Sequence, residues 1–160
     1  MKIELKVLNK MFYEQKFLPS YATSGSAGVD LVCTQDVGIG PGQVIKIPTG
    51  LAIWIGSNDL HRNQHVGIMG MIVPRSGLGN RGLILANTVG IIDEDYQGEL
   101  IVSAWNRNNR SDISERLCLH AGERFAQLVL VPVIKAEWDV VEEFSNNTTR
   151  GAGGFGSTGV

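Results

Sequence analysis

The sequence predicts an all-β fold, a barrel or sandwich with room for one short helix. Three observations carry this: apolar residues recur at the two-residue period of strands, turn residues separate nearly every such run, and no segment sustains a helical apolar stripe for three turns. At the start, Ile3, Leu5 and Val7 alternate with Lys2, Glu4 and Lys6, the pattern of a half-buried strand. Runs rich in Val, Ile and aromatics follow at Gly28 to Cys33, Val44 to Ile47, Leu51 to Ile55, Val66 to Val73, Leu83 to Ala86, Leu100 to Trp105, Arg124 to Ile134 and Ala136 to Val141. Between them stand Gly40-Pro41-Gly42, Pro48-Thr49-Gly50, Gly79-Asn80-Arg81-Gly82 and Ala121-Gly122, all turn chemistry. From Ser145 the composition turns polar and then glycine-rich, so residues 1–144 read as the domain and 145–160 as a flexible tail.

The size suits one domain, since 160 residues lie within the ordinary range of a single core. Charged residues are 19% of the chain and hydrophobic ones 43%, which excludes disorder. A net charge of -2 leaves no electrostatic footprint for a nucleic-acid backbone or an anionic membrane. Glycine is the outlier at 20 of 160 residues, against a usual share of about 7%. Cys33 and Cys118 match neither a redox pair nor a zinc knuckle and read as reduced core thiols. The N-terminus lacks an apolar signal region, and the longest apolar run, Phe125 to Ile134, is broken by Gln127 and Pro132, so the chain reads as soluble and cytoplasmic.

Four segments carry chemistry. In Ala27-Gly28-Val29-Asp30-Leu31, alternation sends Val29 and Leu31 one way and Asp30 the other, toward a ligand, a metal-bound water or simply solvent. In Pro74-Arg75-Ser76-Gly77-Leu78-Gly79 a guanidinium fork, a hydroxyl and two glycines make a small anion cradle, or else a strand-ending turn. The stretch Asn87 to Glu99 runs through Gly90 and Ile92 into three consecutive acids, Asp93, Glu94 and Asp95. That costs like-charge repulsion and makes sense if one carboxylate handles a water or metal-linked group. Tyr96 beside them suits the wall of a flat-ring pocket, and an exposed acidic hairpin tip is the plain alternative. The terminal Arg150 to Gly159 places Arg150, Phe155, Gly156, Ser157 and Thr158 on a track otherwise nearly bare of side chains. It reads as a lid that stacks on a base and meets phosphate, or as a solvated tail.

Two glycine patterns, Gly77 to Gly82 and Gly151 to Gly156, spell G-x-G-x-x-G but lack the following helix that the dinucleotide motif needs. His61 and His65 are four apart, yet Arg62 stands where a zinc peptidase needs Glu.

Taken in order, these segments resemble the motifs of the trimeric dUTP pyrophosphatases, the dUTPases. Ala27 to Leu31 is similar to the first motif, Pro74 to Gly79 to the second, Asn87 to Leu100 to the third, Gly122-Glu123-Arg124-Phe125-Ala126-Gln127 to the fourth and Arg150 to Gly159 to the fifth. The resemblance implies a jelly-roll β-barrel in a homotrimer with shared active sites, and hydrolysis of dUTP to dUMP and pyrophosphate by water attack on the α-phosphorus with Mg2+. It implies that Asp93 activates the water, while Asn87 and the hairpin backbone at Gly90 and Ile92 read uracil. By the same resemblance Tyr96 packs under the deoxyribose, and Arg75, Ser76, Gly77 and Gln127 hold phosphates. Asp30 would bind the water shell of the magnesium. From the tail, Arg150, Gly156, Ser157 and Thr158 would grip the outer phosphates as Phe155 stacks on the base.

The chain departs from the family pattern in a longer stretch at Gly56 to Gly70, a candidate contact surface for a protein partner. It departs also in a link from Ser76 to Asn87 one residue shorter than the common form, and in Phe125 where Ile is commoner. Two other readings remain open at this level. One is a deoxycytidine triphosphate deaminase, which shares the fold; the other is a nucleotide-gated binding protein whose ordered tail a partner reads.

Overall fold

A computed structural model describes residues 2–14, 18–56, 66–109 and 113–154. The alternating runs become ten strands: β1 (Glu4–Val7), β2 (Gly28–Val32), β3 (Val37–Ile39), β4 (Val44–Trp54), β5 (Val66–Pro74), β6 (Leu83–Leu85), β7 (Gly90–Ile92), β8 (Glu99–Asn106), β9 (Leu117–Leu119) and β10 (Arg124–Ile134). Two short helices, α1 (Lys10–Tyr13) and α2 (Ser76–Asn80), and one 3-10 turn at Ile113–Glu115 complete the described elements. Asn9 caps α1 by accepting the Phe12 amide on its side-chain oxygen at 3.2 Å.

All strand pairs are antiparallel. They form one sheet in the order β1-β4-β8-β6, a second in the order β2-β10-β5-β7, and a ribbon of β3 with β9. The expected closed barrel is therefore not found among the described residues. β1 and β6 edge one sheet and β2 and β7 the other, and no ladder joins these edges. Apart from the ribbon strands, successive strands alternate between the sheets, so most core contacts are made by residues distant in sequence. Leu31, Ile72, Phe125 and Leu128 meet Ile47, Ile53, Leu100 and Val102 across the interior, and Ile39 and Leu119 close one end. Along β8, Leu100, Val102 and Ala104 are buried while Ile101 is exposed, the single-faced burial of an antiparallel sheet.

Two boundaries and the burial of one thiol differ from expectation. Pro48-Thr49-Gly50 does not end a strand: β4 runs through it with a register shift between Pro48 and Ala52. Gly50 takes φ +69 there, and the buried Thr49 hydroxyl donates to the Leu100 carbonyl at 2.8 Å, so tertiary bonds outweigh turn chemistry. Ala136 to Val141 forms no strand, because β10 ends at Ile134 and Trp138 and Val140 lie almost fully exposed with no neighbouring strand to pair with. Of the two thiols, Cys33 is buried and Cys118 exposed; Cys118 sits on the outer face of β9 between buried Leu117 and Leu119.

Candidate functional site

β2 sends Val29 and Leu31 toward the core and leaves Asp30 on the opposite face. Its neighbour in the ladder is Gln127 of β10, whose side-chain amide donates to Asp30 Oδ1 at 3.2 Å. Two guanidiniums complete the cluster: Arg75 Nε lies 2.9 Å from Asp30 Oδ1, and one Arg124 terminal nitrogen 3.4 Å from Asp30 Oδ2. Arg75 also donates to the Arg124 carbonyl at 3.3 Å, so the two cations are tied together. The Asp30 carboxylate retains only 17% of its exposure, whereas Arg75 keeps 32% and Arg124 57%. One carboxylate therefore orients two cations whose outer sides stay in water, with spare donors for another anion.

Arg124 reaches this face because of a local irregularity. In strict alternation Arg124 and Gln127, three residues apart, would point to opposite faces of β10. The register shifts between Arg124, opposite Val32, and Ala126, opposite Leu31, so Phe125 is the extra residue. Phe125 and Ala126 are both buried in succession, and Arg124 and Gln127 flank them on the Asp30 side. The turn before β10 is fixed from β2: the Gly122 amide donates to the Cys33 carbonyl at 2.8 Å, and the Cys33 amide to the Glu123 carbonyl at 3.1 Å. Gly122 takes φ +89 in this turn, a conformation only glycine adopts without strain. Cys33 donates its thiol to the His120 carbonyl at 2.8 Å, and burial pushes its pKa up, so it is a structural thiol.

Arg75, Gly77, Leu78, Arg81, Gly122, Glu123 and Arg124 line an open depression of about 500 Å³. A side chain at Gly77 would meet nothing within 4 Å, so no packing within this chain requires glycine there. Ser76 is exposed at the start of α2.

The acidic hairpin lies elsewhere on the same sheet. β7 pairs with β5 through Gly90 opposite Ile72 and Ile92 opposite Gly70. A Cβ on Gly90 would sit 3.2 Å from that of Ile72, so the glycine lets the strands close. Asn87 precedes β7 in a tight turn where Thr88 takes φ +61 and Val89 donates its amide to the Asn87 carbonyl at 2.6 Å; the Asn87 side chain is exposed. Asp93, just past β7, is exposed, and its carbonyl accepts the Tyr96 amide at 3.2 Å. The Tyr96 ring folds back over Gly98, where a Cβ would fall 2.4 Å from the phenol oxygen, and its hydroxyl donates to the Glu99 carbonyl at 3.0 Å. That leaves one ring face outward at 42% exposure, a platform for a flat or ring-shaped ligand.

Of the sequence-predicted residues, the structure thus brings Asp30, Arg75 and Gln127 together, and separately Asn87, Gly90, Ile92, Asp93 and Tyr96 along one hairpin. Asp93 and the Asp30 cluster do not meet within one chain. Asp30, Gln127 and Val73 share a row across the sheet, whereas Asp93 follows the Gly70 and Ile92 pair. That separation is about 13 Å along the strands and about 14 Å across them. Arg150 is exposed in a turn, with Nε donating to the Gly153 carbonyl at 3.1 Å. Phe155, Gly156, Ser157, Thr158 and most of the Gly56 to Gly70 stretch lie outside the described residues. Arg124 is the functional candidate that alternation concealed.

The dUTPase family profile matches residues 14–159. A protein of Acinetobacter baylyi named deoxyuridine 5'-triphosphate nucleotidohydrolase is 49% identical over 162 residues, covering 99% of each chain. Its counterpart of the same name in Ectopseudomonas mendocina is 48% identical over 160 residues, covering 98% of this chain and 97% of its own. Among solved structures, the dUTPase of Staphylococcus bacteriophage 80alpha with dUPNHPP superposes with a TM-score of 0.83 at 26% identity, covering 99% of each chain. Agreement over nearly the whole length, in sequence and in fold, places this chain in the dUTPase family.

Proposed function

We propose that this chain hydrolyses dUTP to dUMP and pyrophosphate by water attack on the α-phosphorus. The observation that carries the reading is the convergence of Asp30, Arg75, Arg124 and Gln127, from three distant segments, into one cation-rich cluster in a member of this family. Phosphoryl transfer needs mainly positioning and charge neutralisation, and two guanidiniums held by a shared carboxylate are pre-organised for both. Arg75, Arg124 and Gln127 hold phosphate oxygens, while Ser76 and the bare Gly77 let the backbone approach them. Asp93 orients the attacking water and takes its proton, and the pyrophosphate leaves on the opposite side of phosphorus. Asn87 and the backbone around Gly90 and Ile92 read the uracil edge. Tyr96 supports the deoxyribose and leaves no space for a 2′-hydroxyl. Thymine, with one extra methyl, is refused by backbone close to C5, and cytosine by mismatched hydrogen-bond groups.

The donor set suits a magnesium ion carried on the triphosphate rather than one caged by protein. No three acidic, histidine or cysteine side chains converge among the described residues, and magnesium characteristically keeps several waters when it binds substrate phosphates. Among the described residues, Asp30 Oδ2 accepts only a long bond from Arg124, which leaves a lone pair for one such water. The ion, when bound, offsets charge on the phosphates.

A base must lie within hydrogen-bond reach of the water that attacks the held phosphorus. Asp93 and the arginine cluster of a single chain are too far apart for that, which supports a homotrimer whose sites combine the hairpin of one copy with the cations of another. The exposed Ile91, Ile101, Trp138, Val140 and Phe144 supply apolar surface for such contacts. The alternation of strands between sheets supports a jelly-roll reading of residues 1–144, with 145–160 as the closing segment.

The test is pyrophosphate release from dUTP beside dTTP, dCTP and UTP, with magnesium and then with EDTA. Release confined to dUTP and weakened by EDTA is expected; ammonia release from dCTP would replace the assignment by deamination. For the missed residue, Arg124→Met removes a charge-assisted phosphate contact and should lower kcat/KM for dUTP by about 30-fold. Steady-state kinetics check this, and a rate within twofold of the native enzyme removes Arg124 from the site.

A further inference from the structure

Glu94, the neighbour of Asp93, is tied to two other segments and passes over a third. Its carbonyl accepts the Gly56 amide at 3.0 Å, beyond the end of β4. Its carboxylate pairs with Lys135, the first residue past β10. Between them in the sheet lies β5, in the order β10-β5-β7, so the Glu94 side chain must cross a strand to reach Lys135. It crosses at Gly67, which pairs with Val133 and carries no side chain. A Cβ there would sit 2.8 Å from Glu94 Oε2 and 2.9 Å from Lys135 Cε, so the bare backbone is what lets the two side chains lie in this place. The Glu94 side chain keeps only 20% of its exposure, while Lys135 keeps 52%.

β7 ends at Ile92, so Asp93 belongs to no ladder and its backbone is not held by strand pairing. The next residue supplies the restraint. We infer that the Glu94 and Lys135 pair, passing over Gly67, is a clamp that sets the position of Asp93, with Glu94 and Lys135 as positioning residues. This rests on the reading of Asp93 as the group that activates the water. An ion pair half in water adds little to global stability, so its contribution is to geometry. A displacement of about 1 Å at a reacting group can lower a rate by about 100-fold.

The experiment measures kcat and KM for dUTP, with thermal midpoints, in Glu94→Gln, Lys135→Met, Lys135→Arg and Asp93→Asn. Glu94→Gln and Lys135→Met should each lower kcat by about tenfold, with KM within about twofold and an unchanged midpoint. Lys135→Arg keeps the cation and should hold at least about half of the native kcat. Native kcat in Lys135→Met and Glu94→Gln beside an inactive Asp93→Asn overturns the clamp, as does a Lys135→Arg enzyme as slow as Lys135→Met. Native kcat in Asp93→Asn overturns instead the reading of Asp93 on which the clamp rests.

Discussion

Asp93→Asn is expected to lower dUTP turnover by about 10³-fold while leaving nucleotide affinity within a few-fold. The substitution keeps shape and most hydrogen-bonding capacity but removes the basic oxygen to which the proposed mechanism assigns the proton from water. In the proposed mechanism binding survives because the phosphate contacts come from Arg75, Arg124 and Gln127, clustered on Asp30, and the base contacts from the Asn87 turn. Asp93 is exposed and makes no core contact, so the fold should be indifferent to the change. Single-turnover hydrolysis with parallel titration of a non-hydrolysable dUTP analogue separates the two effects. Turnover near the native value would strip Asp93 of its role, and equal losses in binding and turnover would recast it as a substrate ligand.

Ending the chain at Thr149 is expected to be the second severe change, lowering kcat/KM by about 10³-fold with no loss of folded assembly. In the proposed mechanism the deleted stretch supplies Arg150, Ser157 and Thr158 for the outer phosphates and Phe155 for the base, and its closure would exclude bulk water from the reacting centre. An arginine that reaches a phosphate only in the closed state is among the more effective catalytic additions known for such chemistry. Every described residue from Ser145 onward is exposed, so the core loses nothing. Gel filtration and thermal melting beside kinetics decide the matter. A truncated protein that dissociates or melts early would make the tail a structural strap, and one that keeps native kcat/KM would leave it without a catalytic part.

Much of the site can be read along the chain because its chemistry is local. Asp30 on a glycine-flanked strand, the Arg75-Ser76-Gly77 turn and the run from Gly90 to Asp93 each announce a polar group where the period of two puts it outside the core. Arg124 escaped that logic. Its position depends on Phe125 being accommodated as an extra residue, and a register shift is a property of two paired strands. The Gly67 crossing is similar, since a glycine inside a strand says only that something approaches, and here that something is Glu94, 27 residues downstream and just past β7. The apolar run at Ala136 to Val141 misled for the converse reason: strand composition describes a capacity to pair, and among the described residues no strand pairs with it.

Residue order alone settled the all-β class, most strand positions and the separate chemical characters of the segments at Asp30, Arg75 and Asp93, because alternation and turn preference act over a few residues. Folding decided which strands became neighbours, that the described residues form two open sheets and a ribbon in place of a closed barrel, and that Asp30 is gripped by two arginines. It also decided that the acid at Asp93 stands apart from those arginines in a single chain. These are outcomes of pairing between segments up to about a hundred residues apart, where the free energy of burying a shared core selects the partners and no local pattern records the choice.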